Sequence, residues 1–278
     1  MLAQRVITAV VLLALLVPAL LARTHWPFSL LTLALIGAAG WEWGRLNQAG
    51  PGLALAMGAA LALACAAAFA AGWTERAPAT HWWLAALLWV PGGALALRAG
   101  PQRWLHLARQ ARWLLGLLAL WAAWLALSQA RAVGLNFVLS VFALVWAADI
   151  AAYFGGRRFG RRKLAPSISP GKSWAGVYSG MLGVALLALA WSAADARLTV
   201  DSASLYTRLF GAFGVVGGMV ALMGLAGMSV VGDLTKSVAK RAVGVKDSSG
   251  LLPGHGGVLD RIDALLPVFP LAFALQSL

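Results

Sequence analysis

Apolar runs, each long enough to cross a bilayer as a helix of about 20 residues, recur from one end of this chain to the other. Within hydrocarbon a backbone can satisfy its polar groups only as a helix or in a closed barrel. A transmembrane barrel needs apolar and polar residues alternating over segments of about ten, and no such alternation is present in the sequence. The chain is therefore read as an all-α, polytopic integral membrane protein. Composition agrees: of 278 residues, 61% are hydrophobic and 11% charged, with a mean hydropathy of +0.81. Soluble domains carry about 25% charged residues. A soluble enzyme, a secreted disulfide scaffold and a disordered chain are excluded. The single cysteine, Cys65, falls in an apolar run and is read as packing.

Nine spans are predicted, at about 5–22, 27–46, 53–72, 82–97, 113–127, 133–156, 174–193, 208–232 and 262–278. The first has Arg5, an apolar core and small residues near Ala22, as a signal peptide would, but Pro18 and its length favour a retained span. There are 22 Lys and Arg against 9 Asp and Glu, a net charge of +13. In a soluble protein that excess would suggest nucleic acid. Here no nucleic-acid module is visible, and basic residues belong in cytoplasmic loops facing anionic headgroups. Segments 98–112, 157–172 and 233–261 hold most of the cations of the connections. Nine spans put all three on the side of the N-terminus, so the positive-inside rule predicts N-terminus in and C-terminus out.

Two regions differ in character. Residues 1–130 are Ala-, Leu- and Trp-rich, with about five spans and scattered Arg; residues 131–278 hold the irregular, charged, Gly- and Pro-containing stretches. All five lysines lie between 163 and 246. Four of the nine acids, Asp233, Asp247, Asp260 and Asp263, fall within 31 residues. Hard oxygen ligands of this kind suit Mg²⁺, which takes a few carboxylates together with waters and substrate phosphates. Solvated loop acids balancing nearby cations are the alternative for any isolated pair.

The surroundings favour chemistry. Read as a helix, 233–244 places Asp233, Lys236, Ser237, Lys240, Arg241 and Gly244 on one face, with Leu234, Val238, Ala242 and Val243 on the other. The stretch from Gly250 to Asp263 surrounds His255 with glycines and a proline directly before a helix start. Such a loop can offer backbone N–H groups to phosphate oxygens. Asp260 and Asp263, three apart, share a helix face. Asp149 is the only charge between Ala132 and Gly156, and an intramembrane carboxylate is a functional candidate by default. Gly171-Lys172-Ser173 imitates the end of a Walker A loop, but Pro166 replaces the required glycine and no strand is expected ahead of it, so a P-loop is rejected.

Ser237-x-x-Lys240-Arg241-x4-Lys246-Asp247-x6-Gly254-His255-Gly256-Gly257-x2-Asp260-Arg261-x-Asp263 resembles the signature of phosphatidate cytidylyltransferases, with Gly232-Asp233-Leu234 leading into it. Asp149-x3-Tyr153-Phe154-Gly155 and Ile168-Ser169-Pro170-x-Lys172 resemble the family's upstream motifs. The resemblance covers about 145–265. Ala175, Lys236 and Ala239 depart from the family pattern, the first two standing where Glu is common.

The resemblance implies transfer of a cytidylyl group from CTP to phosphatidate, giving CDP-diacylglycerol and pyrophosphate, with Mg²⁺ as one ion or two. It further implies a homodimer in a bacterial inner membrane with the site facing the cytoplasm. Asp233, Asp260 and Asp263 are then candidate metal ligands, with Asp247 a further one. Lys240, Arg241 and Lys246 are candidates to hold phosphates. Ser169 and Lys172 would contact nucleotide or headgroup, and Ser237, Asp149, Gly256, Gly257 and Arg261 complete the candidate substrate contacts. His255 would orient phosphate or fix the loop; no general base is needed. Competing readings are a CTP-dependent lipid kinase of the dolichol-kinase type, a cation-coupled transporter using Asp149, and a non-catalytic scaffold.

Overall fold

The computed structural model describes residues 2–278, with side chains from Gln4 onward. Six helices come first: α1 (Leu2–Leu21), α2 (Trp26–Leu46), α3 (Pro51–Ala70), α4 (Ala79–Trp104), α5 (Arg109–Val133) and α6 (Leu135–Phe159). A small hairpin follows, β1 (Lys163–Ala165) and β2 (Ser169–Ser173). The chain closes with α7 (Trp174–Asp195), α8 (Leu205–Ala242), the short α9 (Leu259–Ile262) and α10 (Leu265–Gln276).

Among the described residues, seven helices are long and apolar enough to cross a bilayer: α1 and α3 to α8. On that measure the expected count of nine is not reached. Helix α2 has 21 residues but carries Glu42 and Arg45. Helix α10 has 12 residues, and Asp263 and Ala264, both in the right-handed helical region, join it to α9. Every residue from Leu266 to Ala274 is buried, packed against α4, α5, α6 and α8. A helix surrounded by protein is apolar all round, and hydropathy does not separate that case from a lipid-facing span. Residues 130 and 131 lie inside α5, and buried residues from both compositional regions form one core.

Small residues bring the helices close. A Cβ added to Gly180 of α7 would stand 2.8 Å from the Ala148 carbonyl of α6, so the two backbones touch where a side chain would part them. Three basic segments meet at one end of the bundle. Lys172 pairs with Asp233, Arg241 donates to the Ile168 carbonyl, and His106 shares a cavity with Lys236. Thr8 of α1 donates to the Pro253 carbonyl at this same end. At the other end Arg131 donates to the Leu20 and Ala22 carbonyls, and Arg208 to Gln276.

The hairpin corrects one step of the sequence argument. Gly171-Lys172-Ser173 does sit on a strand, β2, which runs directly into α7. Ser-Pro-Gly-Lys-Ser has poor strand propensity, so pairing with β1 rather than local preference extends it: Lys163 lies opposite Ser173 and Ala165 opposite Ser169. A P-loop remains excluded, because this backbone is extended and paired instead of wrapped around an anion. Ser173 Oγ caps α7, accepting from the Gly176 amide at 3.2 Å.

Candidate active site

Helix α8 continues nine residues past Asp233, about 13 Å, so the charged face begins well inside the bundle. Asp233, Lys236, Ser237 and Lys240 recur at i, i+3, i+4 and i+7 and share that face. The helix stops at Ala242, two residues before the expected end. Gly244, at φ +72°, closes it: its amide donates to the Arg241 carbonyl at 3.1 Å and that of Val245 to the Lys240 carbonyl at 3.0 Å. This paired closure needs a left-handed residue, which glycine supplies without a steric penalty.

Lys236 is the centre of the site. Its Nζ lies 3.1 Å from Asp260 Oδ1 and pairs with Asp263 Oδ2. Lys240 Nζ donates to Asp260 Oδ1 at 2.8 Å. From β2, Lys172 Nζ reaches Asp233 Oδ2 at 2.7 Å, and Asp263 is near enough to Asp233 for the two carboxylates to act on one another. Three lysines and three aspartates drawn from β2, α8 and the α9 segment thus make one continuous chain of charge. Asp260 lies in α9 and Asp263 just beyond it, and their i, i+3 spacing turns both toward Lys236.

The two carboxyls differ in environment. Burial alone would raise the Asp260 carboxyl, but Lys240, the Ser248 amide, Lys236 and the Gly257 amide outweigh it and hold it well below the usual carboxylate range. Burial pushes Asp263 up to about 6; Lys236 pulls against that rise and the neighbouring Asp233 adds to it.

The glycine loop does something other than the sequence suggested. At its C-terminal end the N–H groups of Gly257, Val258 and Leu259 are taken by protein carboxylates instead of being free for phosphate. Gly257 N donates to Asp260 Oδ2 at 3.1 Å. Val258 N and Leu259 N donate to Glu42 of α2 at 2.9 and 2.8 Å. A Cβ on Gly257 would fall 2.0 Å from Ser248 Oγ and 2.5 and 2.6 Å from the two Glu42 oxygens, so its glycine reflects the approach of both side chains. Gly256, at φ +82°, turns the backbone beside Asp260. Arg261 donates to the His255 carbonyl and so braces the loop. His255 Nδ1 is buried without a partner. Arg241, Lys246 and Asp247 are exposed; Arg241 reaches the Ile168 and Val245 carbonyls at 3.4 Å.

Two residues outside the sequence-based roles emerge, Lys236 and Glu42. Lys236 lay on the predicted face without a role of its own. Glu42 was legible by the rule that singled out Asp149, a lone carboxylate in an apolar run.

Two cavities flank the charge chain. One, of about 620 Å³, lies between α6, the hairpin, α7 and α8, and is lined by Asp149, Tyr153, Arg157, Lys163, Ser169 and Lys172 among others. The other, of about 510 Å³, is walled by Trp89, Trp104, Leu120 and further apolar residues of α4 and α5, with Lys236 on its α8 side.

Among the described residues no three His, Cys, Asp or Glu side chains converge as a metal-binding group. The four-carboxylate set of Asp233, Asp247, Asp260 and Asp263 is therefore not assembled. Asp247 is exposed, and both oxygens of Asp260 are engaged by donors. Lys236 fills the space between Asp260 and Asp263, where a second ion would need to stand. Asp233 and Asp263 meet one donor at each oxygen, from Lys172 and Ser237 and from Lys236 and the Ala264 amide, against two or more at each Asp260 oxygen, and their mutual repulsion is what a cation would relieve. Mg²⁺ commonly takes only one or two carboxylates and draws its other ligands from water and phosphate, and this pair fits it.

A helical membrane-embedded protein with a buried lysine–aspartate chain beside a cation-lined cavity has the make-up of a membrane enzyme acting on polyanions. Residues 3–278 match the model of the cytidylyltransferase family, and the chain belongs to that family. It is 37% identical to the phosphatidate cytidylyltransferase of Pseudomonas aeruginosa, over 99% of this chain and 97% of that one. To the phosphatidate cytidylyltransferase of Haemophilus influenzae it is 48% identical over 49% of this chain and 44% of the relative. Phosphatidate cytidylyltransferase 5, chloroplastic, of Arabidopsis thaliana is 38% identical over 52% of this chain and 33% of its own length.

Proposed function

We propose that this chain is a phosphatidate cytidylyltransferase. The observation that carries the reading is the charge chain from Lys172 to Lys240, which meets a cation-lined cavity at Lys172 and an apolar one at Lys236. A substrate pair that is part triphosphate and part lipid needs both kinds of space. The monoester phosphate of phosphatidate carries its charge near neutral pH, its second pKa being about 6, so no strong base is required. One of its oxygens attacks the α-phosphorus of CTP, the bond from that phosphorus to the β-phosphate bridging oxygen breaks, and pyrophosphate leaves.

What remains is positioning and charge stabilisation. Lys172, Lys163 and Arg157 face the polar cavity and attract the polyanion. Lys236 and Lys240, held by Asp260, place ammonium groups at fixed positions beside it. Asp233 and Asp263 would hold Mg²⁺, which supplies neutralisation of triphosphate charge when bound. The apolar cavity takes an acyl chain. The site faces the cytoplasm of a bacterial inner membrane, on the side of the basic segments, and the family resemblance carries a homodimer.

The test is product analysis on detergent-purified protein with phosphatidate, Mg²⁺ and CTP labelled at either the α- or the γ-phosphate. Cytidylyl transfer puts the α-label in the lipid phase and the γ-label in pyrophosphate, only when phosphatidate is present. A γ-label in lipid would instead identify a CTP-dependent lipid kinase, and no consumption of CTP would overturn both.

A further inference from the structure

Glu42 is completely buried in α2, more than 200 residues from the loop it touches. Its Oε1 accepts from Val258 N at 2.9 Å and from Ser249 Oγ, and its Oε2 from Leu259 N at 2.8 Å and Ser248 Oγ at 3.0 Å. These four donors come from both ends of the loop, 248–249 and 258–259. One carboxylate therefore staples the loop shut at its base. Ser248 also donates from its amide to Asp260 Oδ2 at 2.8 Å, so the staple continues into the charge chain. Among the described residues no cation pairs with Glu42; donors alone meet its charge. A buried carboxylate is tolerated only when so satisfied, and each oxygen here is aimed at atoms whose position fixes Asp260.

We infer that Glu42 is a positioning residue for the reaction: it touches no substrate, and it sets the loop so that Asp260 and Asp263 meet Lys236 and Lys240. The inference rests on the cytidylyltransferase reading. Replacing Glu42 by Gln keeps size but turns one acceptor oxygen into an NH₂ group facing N–H and O–H donors. A displacement of about 1 Å in positioned catalytic groups costs up to about 100-fold.

The experiment is steady-state kinetics of Glu42→Gln and of Ser249→Ala against the unaltered protein, with amide hydrogen exchange on each. The account predicts a kcat lowered by about 10- to 100-fold in Glu42→Gln, with KM for CTP and for phosphatidate changed less than about threefold. Exchange should quicken at Val258 and Leu259 while the α6 and α8 cores stay protected. Ser249→Ala, which removes one of four donors, should show the same pattern more weakly. Activity within about twofold of the unaltered protein in Glu42→Gln overturns the inference. So does a global loss of protection in Glu42→Gln together with an unchanged kcat in Ser249→Ala, which would mark a purely structural carboxylate. An unaltered protein that forms no CDP-lipid would defeat the functional reading instead.

Discussion

At Asp260, one side chain shows how completely this site is bound together. Oδ1 faces two ammonium groups and Oδ2 accepts from two backbone amides, of Ser248 and Gly257. Asparagine would keep the acceptor toward the lysines and turn an NH₂ toward Ser248 N and Gly257 N, leaving donors against donors. Asp260→Asn should therefore insert normally yet lower turnover by about 100-fold or more, measured as CDP-lipid formed per inserted protein; near-normal turnover would remove Asp260 from the machinery. At this scale much was legible. In a chain with 11% charged residues, each charge away from the connecting loops is conspicuous, and Lys172, Asp233, Lys240, Asp260 and Asp263 all stand out in the sequence itself. What sequence could not supply was the pairing. Lys236 and Glu42 are local polar residues until a distant segment folds onto them, and the N–H groups of Gly257, Val258 and Leu259 look free for phosphate until Asp260 and Glu42 accept from them.

The elements were read with similar strengths. Helices of the expected span regions are present, because apolar runs leave a backbone little alternative. The hairpin is not legible in the sequence, since its strands are held by pairing instead of propensity. Caps are a finer feature of this scale. Asp201, in the α7–α8 connection, accepts from Asn136 N at 2.9 Å and from Leu135 N, capping α6 from outside its own segment. Partial burial would raise its carboxyl, but the Asn136 and Leu135 amides outweigh that and hold it below the usual range. Because the native-state pKa is the lower one, the cap's contribution is full above the unfolded-state value of about 4 and is lost as pH falls through the native value. Asp201→Ala should cost about 1 kcal/mol at pH 7. Thermal unfolding in detergent should show that gap between the two proteins narrowing as the pH is taken below about 4. A gap independent of pH would show that the carboxylate charge is not what caps α6.

Over the whole molecule, the arrangement joins two environments. The bundle hides a short apolar helix at its centre and gathers three basic segments and the start of α1 at one end. Below that end it sinks a chain of lysines and aspartates between a polar cavity and an apolar one. The charge sorting that first suggested an ordinary topology signal also marks where the reaction would occur. The side of the membrane and the pairing of subunits belong to the proposal, since a single chain without a bilayer carries neither.

The central claim is that cytidylyl transfer happens at this charge chain. Its most direct test is the phosphatidate-dependent transfer of α-phosphate label from CTP into lipid, by the unaltered protein and by Asp233→Asn, in proteoliposomes with matched amounts inserted. The account predicts robust labelling by the first and a loss of about 100- to 1,000-fold in the second. Labelling by Asp233→Asn within about tenfold of the unaltered protein would contradict it.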